Sequence, residues 1–302
     1  MTVANDPHAE EKVRAAEREC STCNRRDFIF GSFSLALSHW GDQDNRRELR
    51  PLDRFNSILR RMQKEPRYAS SFRANDERII AMNTGPERAP IRAAKSTRTI
   101  SSRASDLILA SEITSETIYA RRYCHPVWPR GQSGITIGIG YDLGEANETY
   151  FREDWSDYID SRAIDILSKT CGASGEYAAR VLKVLPRLNI PWEIAFRQYD
   201  TETLPRYIGE TEASLPNTSL VGPDCLGALV SLVYNRGATF SSPESRYDEM
   251  RAVKAHMNSK AFEQVPEDLR HMERLWNSDS ALRGVALRRE AEAALFEFGL
   301  ST

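Results

Sequence analysis

No apolar run in the chain approaches the ~18 residues that a membrane-spanning helix needs, so the sequence holds no ordinary transmembrane helix. Cysteine is sparse, five residues without dense spacing, which excludes a disulfide scaffold. A dominant charge sign is missing too. Lys+Arg is 41 and Asp+Glu is 43, a total of −2, which excludes a uniformly basic nucleic-acid binder. The five histidines (His8, His39, His125, His256, His271) show no metal-ligand spacing. No phosphate-binding glycine loop and no Ser/His/Asp arrangement is present. No cofactor and no metal is therefore expected.

What is present is uneven. A chain of 302 residues suggests about two domains, or one of about 200 residues with extensions. Its mean hydropathy of −0.53 is more polar than one globule needs, so part of it is not core. The charge is uneven as well. Arg46 to Arg103 carries 15 Lys/Arg against 6 Asp/Glu, a net of +9, which leaves −11 for the rest. This stretch has four prolines and one helical pattern, Leu52, Phe55, Ile58, Leu59, Met62. Beyond that pattern, "ERAPIRAAKSTRTISSRAS" has no period, so residues 46–100 read as a basic, partly helical or disordered linker. Its charge suits either a solvated linker or attraction to an anionic surface.

Residues 1–45 read as an extension. Arg25 and Arg26 precede Asp27, Phe28 and Ile29, and a moderately apolar stretch of about ten residues ends at Leu37. "NRRDFI" resembles a twin-arginine export signal, and Ala36-Leu37-Ser38 suits cleavage. Export to the periplasm or cell envelope is one expectation; a cytoplasmic extension is the other. The lone Cys20-x-x-Cys23 is weak evidence for metal or redox chemistry. Cys124, Cys171 and Cys225 are far apart and read as free thiols.

From Ser101 the pattern is that of an α-rich α+β domain, 101–302. A helix over "SDLILASEI" has Ser105 or Asp106 as N-cap. "GITIGIGYDLG" alternates with period two and reads as a strand, followed by a run of helices. As one strand, Ile135, Ile137, Ile139 and Tyr141 share one face, and Thr136, Gly138, Gly140 and Asp142 share the other. Glu112 lies where the helix meets the ribbon, and Glu116 follows one turn later. A carboxyl group at such a junction is partly desolvated, which favours its protonated form and suits it to protonate a leaving group. Two carboxyl groups in one cleft, one protonated and one ionised, are the equipment of glycoside hydrolysis.

"LILASEITS" followed by "SGITIGIGYDLG" resembles the catalytic core of phage-type lysozymes, and most of all their pesticin-like branch. "ALVSLVYNRG" and "GVALRREAEAALF" resemble two later helices of that family, in the right order. The resemblance implies a lysozyme-like fold, a short β-ribbon carrying the catalytic cleft and then a helical lobe. It implies Glu112 as general acid, Asp142 acting on the attacking water or the oxocarbenium-like transition state, and Thr136 holding that water. Arg130 stands where other branches carry an Asp, and Asp142 fills that role. Six residues of straight strand span about 20 Å, so Gly138 and Gly140 must bend the ribbon if both residues reach one bond. Glu116 is the competitor to Glu112.

Trp128, Tyr123 and Tyr141 are candidates for sugar stacking or for ribbon packing. Asn235 suits an N-acetyl contact or helix capping before Gly237, a C-cap glycine. Arg288 and Arg289 suit pairing with acidic groups near the cleft, or simply favour a helix. The expectation is a monomeric muramidase acting on peptidoglycan glycan strands, without nucleic acid and without stable membrane insertion. The alternatives are an inactive lysozyme-like peptidoglycan-binding module, a phage endolysin and a toxin delivered to rivals.

Overall fold

A computed structural model describes residues 50–65, 92–276 and 283–302, all within one folded unit, Glu48–Thr302. The Arg25–Arg26 pair, the apolar stretch after it and the Cys20/Cys23 pair lie outside the described residues. The fold is helix-rich with one small antiparallel ribbon, an α+β arrangement. The helices are α1 (Pro51–Lys64), α2 (Ser102–Ile113), α3 (Glu116–Arg122), α4 (Glu148–Trp155), α5 (Ser161–Ser168) and α6 (Gly175–Val184). After these come α7 (Trp192–Gln198), α8 (Leu204–Ser214), α9 (Pro223–Arg236), α10 (Asp248–Ser259), α11 (Val265–His271) and α12 (Arg283–Leu300). The strands β1 (Thr136–Ile137) and β2 (Tyr141–Asp142) lie between α3 and α4.

Helix α9 is the hub. Every residue from Asp224 to Arg236 is buried, the pattern of a helix covered on all sides. Pro at its first position costs no hydrogen bond there, and Gly237 at φ +69° ends it as the expected C-cap. Helices α2, α8 and α12 pack around it, and α12 also carries α1 and α11.

The described parts of the basic stretch, residues 50–65 and 92–100, pack on the domain; residues 66–91 lie outside the described residues. Phe55, Leu59 and Met62 of α1 are buried against the domain core, so the helical pattern there is the face of a docked helix. Residues 92–100 form an extended strap along α8. The Ser96 N–H donates to Pro205 O at 2.9 Å, and Arg98 donates to Thr218 O and Val221 O at 3.0 Å each. Gly209 is what lets the strap lie so close: a Cβ there would stand 2.0 Å from Ala94 O. The basic residues find acidic partners elsewhere in the fold: Arg54 with Glu290, Lys95 with Glu202, Arg98 with Glu212, Arg103 with Asp224. The +9 and the −11 are thus partly complementary within one domain.

The ribbon also departs from expectation. It is a tight hairpin rather than one strand with two faces. Ile137 pairs with Tyr141 and Thr136 with Asp142, leaving Gly138-Ile139-Gly140 as the turn. Gly138 and Gly140 sit at φ +56° and +72°, where side-chained residues are strained. Ile alternating with Gly had mimicked the period of a straight strand. Helix α2 starts earlier than expected as well. Ser101, not Ser105 or Asp106, is its N-cap, accepting the Ala104 N–H at 3.1 Å.

Candidate active site

Glu112 stands in the last turn of α2, buried to 8% exposure. The helix ends one residue later, at Ile113, in a turn centred on Thr114, at φ 69° and ψ −58°, closed by the Ser115 N–H on Ile113 O at 2.8 Å. This is a γ-turn with positive φ, a strained conformation for a β-branched residue. Ser115 then caps α3 by accepting the Ile118 N–H, which puts Glu116 exposed in the first turn of α3. The two candidate acids therefore differ sharply in surroundings, and only Glu112 is enclosed.

Arg288 of α12, fully buried, donates from Nη1 to Glu112 Oε1 at 2.7 Å. Its Nη2 donates to Ser231 O at 3.0 Å and its Nε to Ser231 Oγ at 3.0 Å, so α9 fixes the guanidinium that holds the carboxylate. Of the two uses the sequence left open for Arg288, it pairs with an acidic group, Glu112. The hairpin tip sits over the other oxygen: a Cβ on Gly140 would lie 3.3 Å from Glu112 Oε2 and 3.3 Å from Tyr234 Oη. Tyr234 of α9 donates from that hydroxyl to Ile139 O at 2.7 Å, tying the tip down.

The bend in the ribbon brings Thr136 and Asp142 side by side as a cross-strand pair. Asp142 is buried, and its carboxylate accepts the Gly134 N–H (3.0 and 3.1 Å to the two oxygens) and the Gly144 N–H (2.7 Å). It thereby pins the chain on both sides of the hairpin. Thr136 Oγ1 is buried and has no hydrogen-bond partner among the described residues.

A cleft of about 360 Å³ opens beside the hairpin. Gly140, Tyr141 and Asp142 form one wall; Tyr150 and Asp154 of α4, Arg206 and Tyr207 of α8, and the loop Gly237–Thr239 form the others. Arg92, from the basic stretch, lines it as well and lies 4.5 Å over the Tyr150 ring. Asp154 organises this end. Its Oδ1 accepts Arg206 Nε at 3.1 Å and Nη2 at 3.0 Å, its Oδ2 accepts the Tyr141 hydroxyl at 3.0 Å, and Arg92 pairs with it too. Burial, with Asp154 adjacent, pushes the Tyr141 phenol far above its ordinary range, so it stays a donor. A π-helical turn, Tyr199–Thr203, precedes α8 and places Thr203 in the cleft wall; such turns often mark functional sites. The Tyr207 ring stacks on Tyr234 with centroids 4.1 Å apart, linking the cleft to the hairpin tip.

The hairpin thus pairs Thr136 with Asp142 and lays its tip against Glu112; Tyr141 and Asp142 line the cleft, and Glu112 and Thr136 are not among its lining residues. Trp128 and Asn235 are not among the cleft-lining residues. Trp128 Nε1 donates to Ser133 O at 3.0 Å, within its own loop, and Asn235 is buried with Oδ1 unpartnered among the described residues. Tyr123 is buried in the core. Sequence reasoning missed Arg92, Asp154, Arg206 and Tyr207. They come from three separate segments and share no local motif; only the Glu202–Arg206 pair, four residues apart on the turn into α8, hinted at a charged end.

Among the described residues no group of three or more His, Cys, Asp or Glu is placed to hold a metal ion, and no helix is long and apolar enough to cross a membrane. Cys124, Cys171 and Cys225 are free, and burial pushes the Cys225 thiol up to about 12. No family model, no curated protein and no solved structure matches the chain.

Proposed function

We propose that the chain is a peptidoglycan muramidase with a lysozyme-like fold, hydrolysing the β-1,4 bond between N-acetylmuramic acid and N-acetylglucosamine by carboxylate acid/base catalysis. The observation that carries this reading is the enclosure of Glu112. It is a carboxyl group at a helix end, held by a buried guanidinium and roofed by a glycine that also borders the cleft. A proton donor for a glycosidic oxygen needs that kind of fixed, water-poor seat. The motif resemblance to pesticin-like lysozymes supports the same assignment. Thr136, whose buried hydroxyl has no protein partner among the described residues, holds the attacking water. Asp142, its cross-strand neighbour, orients that water or supports the positive charge that develops on the sugar. The resemblance of the Arg25–Arg26 segment to a twin-arginine signal supports export to the periplasm or cell envelope, with a cytoplasmic location as the alternative.

The test is release of reducing ends and clearing of purified cell walls by the full chain. Wild type is expected to be active, and Glu112→Gln to lose about 10²- to 10⁴-fold, the usual contribution of a general acid. Equal activity of the two proteins overturns the assignment of Glu112. A second reading, a glycan-binding module without hydrolysis, is favoured by one observation: Glu112 itself is not among the cleft-lining residues. It predicts co-sedimentation with peptidoglycan and no reducing ends. Loss of N-terminal processing in the producing cell on Arg25/Arg26→Lys tests the export reading.

A further inference from the structure

The corner of the cleft formed by α4 holds a cation that the catalytic reading does not use. Arg92, delivered by the strap, sets its guanidinium 4.5 Å over the Tyr150 ring and pairs with Glu153 and Asp154. An aromatic face with two carboxylates beside it is a seat for a cation, because the ring's negative face and both charges pull the same way. The cleft as a whole leans to the same sign. Its lining carries four acidic residues, Asp142, Glu145, Asp154 and Glu210, against two basic ones, Arg92 and Arg206. A concave surface lined mainly by one sign concentrates ligands of the other.

Two features separate Arg92 from an ordinary structural ion pair. First, Asp154 does not depend on it. Its Oδ1 already accepts Arg206 Nε at 3.1 Å and Nη2 at 3.0 Å, and its Oδ2 accepts the Tyr141 hydroxyl at 3.0 Å. The buried carboxylate therefore stays paired when Arg92 leaves, and the usual cost of stripping a buried charge of its partner is avoided. The Glu153 side chain is 57% exposed, so water replaces Arg92 there. Second, none of residues 92–100 is buried. The strap is fastened by polar contacts: the Ser96 N–H on Pro205 O, Arg98 on Thr218 O and Val221 O, and the pairs Lys95–Glu202 and Arg98–Glu212. A segment without apolar burial opens at low cost compared with the core.

We propose that this corner is a binding subsite for a cationic group, a primary ammonium or a guanidinium, and that Arg92 fills it in cis until a ligand displaces it. One part rests on the muramidase reading: the displacing group is then the free amine that uncrosslinked peptide stems of the cell wall carry on their diamino acid. The strap thereby weakens binding of any wall fragment that lacks such an amine.

The probe is n-propylguanidinium chloride, titrated into full-length protein carrying ¹³C-labelled tyrosine, with sodium chloride at equal ionic strength as the control. The Tyr150 ring signal, assigned with Tyr150→Leu, reports the site. Arg92→Ala is expected to bind the probe in the millimolar range. Wild type should bind it at least about tenfold more weakly, because its own Arg92 competes at high effective concentration. Adding Glu153→Gln to Arg92→Ala should weaken the probe severalfold, and an unchanged affinity overturns the assignment of this corner. The proposal is also wrong if Arg92→Ala responds no more than it does to salt, or if wild type and Arg92→Ala bind the probe equally. If Arg92→Ala does not fold, Gly209→Ala, which lifts the strap and leaves the corner intact, takes its place under the same two outcomes. On cell walls, Arg92→Ala should show a KM about three- to tenfold below wild type, and the difference should vanish on walls whose amines have been acetylated. A higher KM in Arg92→Ala, or a difference that persists on acetylated walls, overturns displacement by the substrate amine. If wild type releases no reducing ends, the muramidase reading fails by itself, and the propylguanidinium titration still decides the subsite.

Discussion

A methyl group on Gly140 tests whether the hairpin tip is seated on a working carboxyl group. Gly140 is at φ +72°, so alanine there costs about 1–2 kcal/mol of left-handed strain before any contact is counted. Its Cβ would stand 3.3 Å from Glu112 Oε2 and from Tyr234 Oη, inside ordinary contact, so one of the two must yield by a few tenths of an ångström. Tyr234 is held by its hydroxyl on Ile139 O and by its stack on Tyr207, and Glu112 is held by Arg288 through Oε1, so either adjustment disturbs the seat of the carboxyl group. A 1 Å error in a catalytic group costs about 10²-fold, and a shift of a few tenths about tenfold. Gly140→Ala should therefore lose about 1–2 kcal/mol in a urea titration and about tenfold in kcat/KM for reducing-end release, at a temperature where both proteins are folded. The informative result is a variant that loses the stability and keeps wild-type kcat/KM. It would mean that the tip packs on an inert carboxylate and that the chemistry lies elsewhere.

Two further substitutions probe the frame of the site. Thr114→Gly removes the strain of a positive-φ turn at a β-branched residue, about 1–3 kcal/mol, against the extra flexibility of glycine in the unfolded chain, about 0.5–1 kcal/mol. Its thermal midpoint should rise, and a fall would show that the turn after Glu112 is not strained. Gly209→Ala drives a Cβ to 2.0 Å from Ala94 O and should detach the strap over 92–100. Limited proteolysis with trypsin should then cut at Lys95 or Arg98 faster than in wild type, and an unchanged cleavage rate would place the strap's hold elsewhere.

The catalytic candidates were legible because they sit in a short motif. Glu112 ends an apolar helix, and Thr136 and Asp142 flank a Gly-x-Gly turn, so a few residues of sequence specify their positions. The same motif misled on geometry. An Ile/Gly alternation is compatible with a straight strand and with a hairpin, and only the positive φ at Gly138 and Gly140 separates the two. Aromatic character misled in another way. Trp128 satisfies its indole N–H inside its own loop, whereas the cleft is walled by Tyr141, Tyr150 and Tyr207 from three different segments. The amphipathic face of α1 was visible in the spacing of Phe55, Leu59 and Met62, but nothing local said that α12 would cover it.

The net charge is where long-range structure changes the reading most. A run of fifteen cations in a polar, proline-containing stretch looks solvated, because each partner is far away in sequence. Arg54 reaches Glu290, Arg98 reaches Glu212, and Arg103 reaches Asp224. Partly exposed pairs of this kind contribute about 0–1 kcal/mol each, so they do not by themselves explain why the strap stays down. Arg98 does more, since it also satisfies two carbonyl oxygens, and Gly209 removes the steric barrier. The pairs instead specify register: shift the strap by one residue and Lys95 and Arg98 lose their carboxylates at once. That register sets Arg92 against Asp154 and Tyr150, so a segment with the composition of a linker supplies one wall of the cleft.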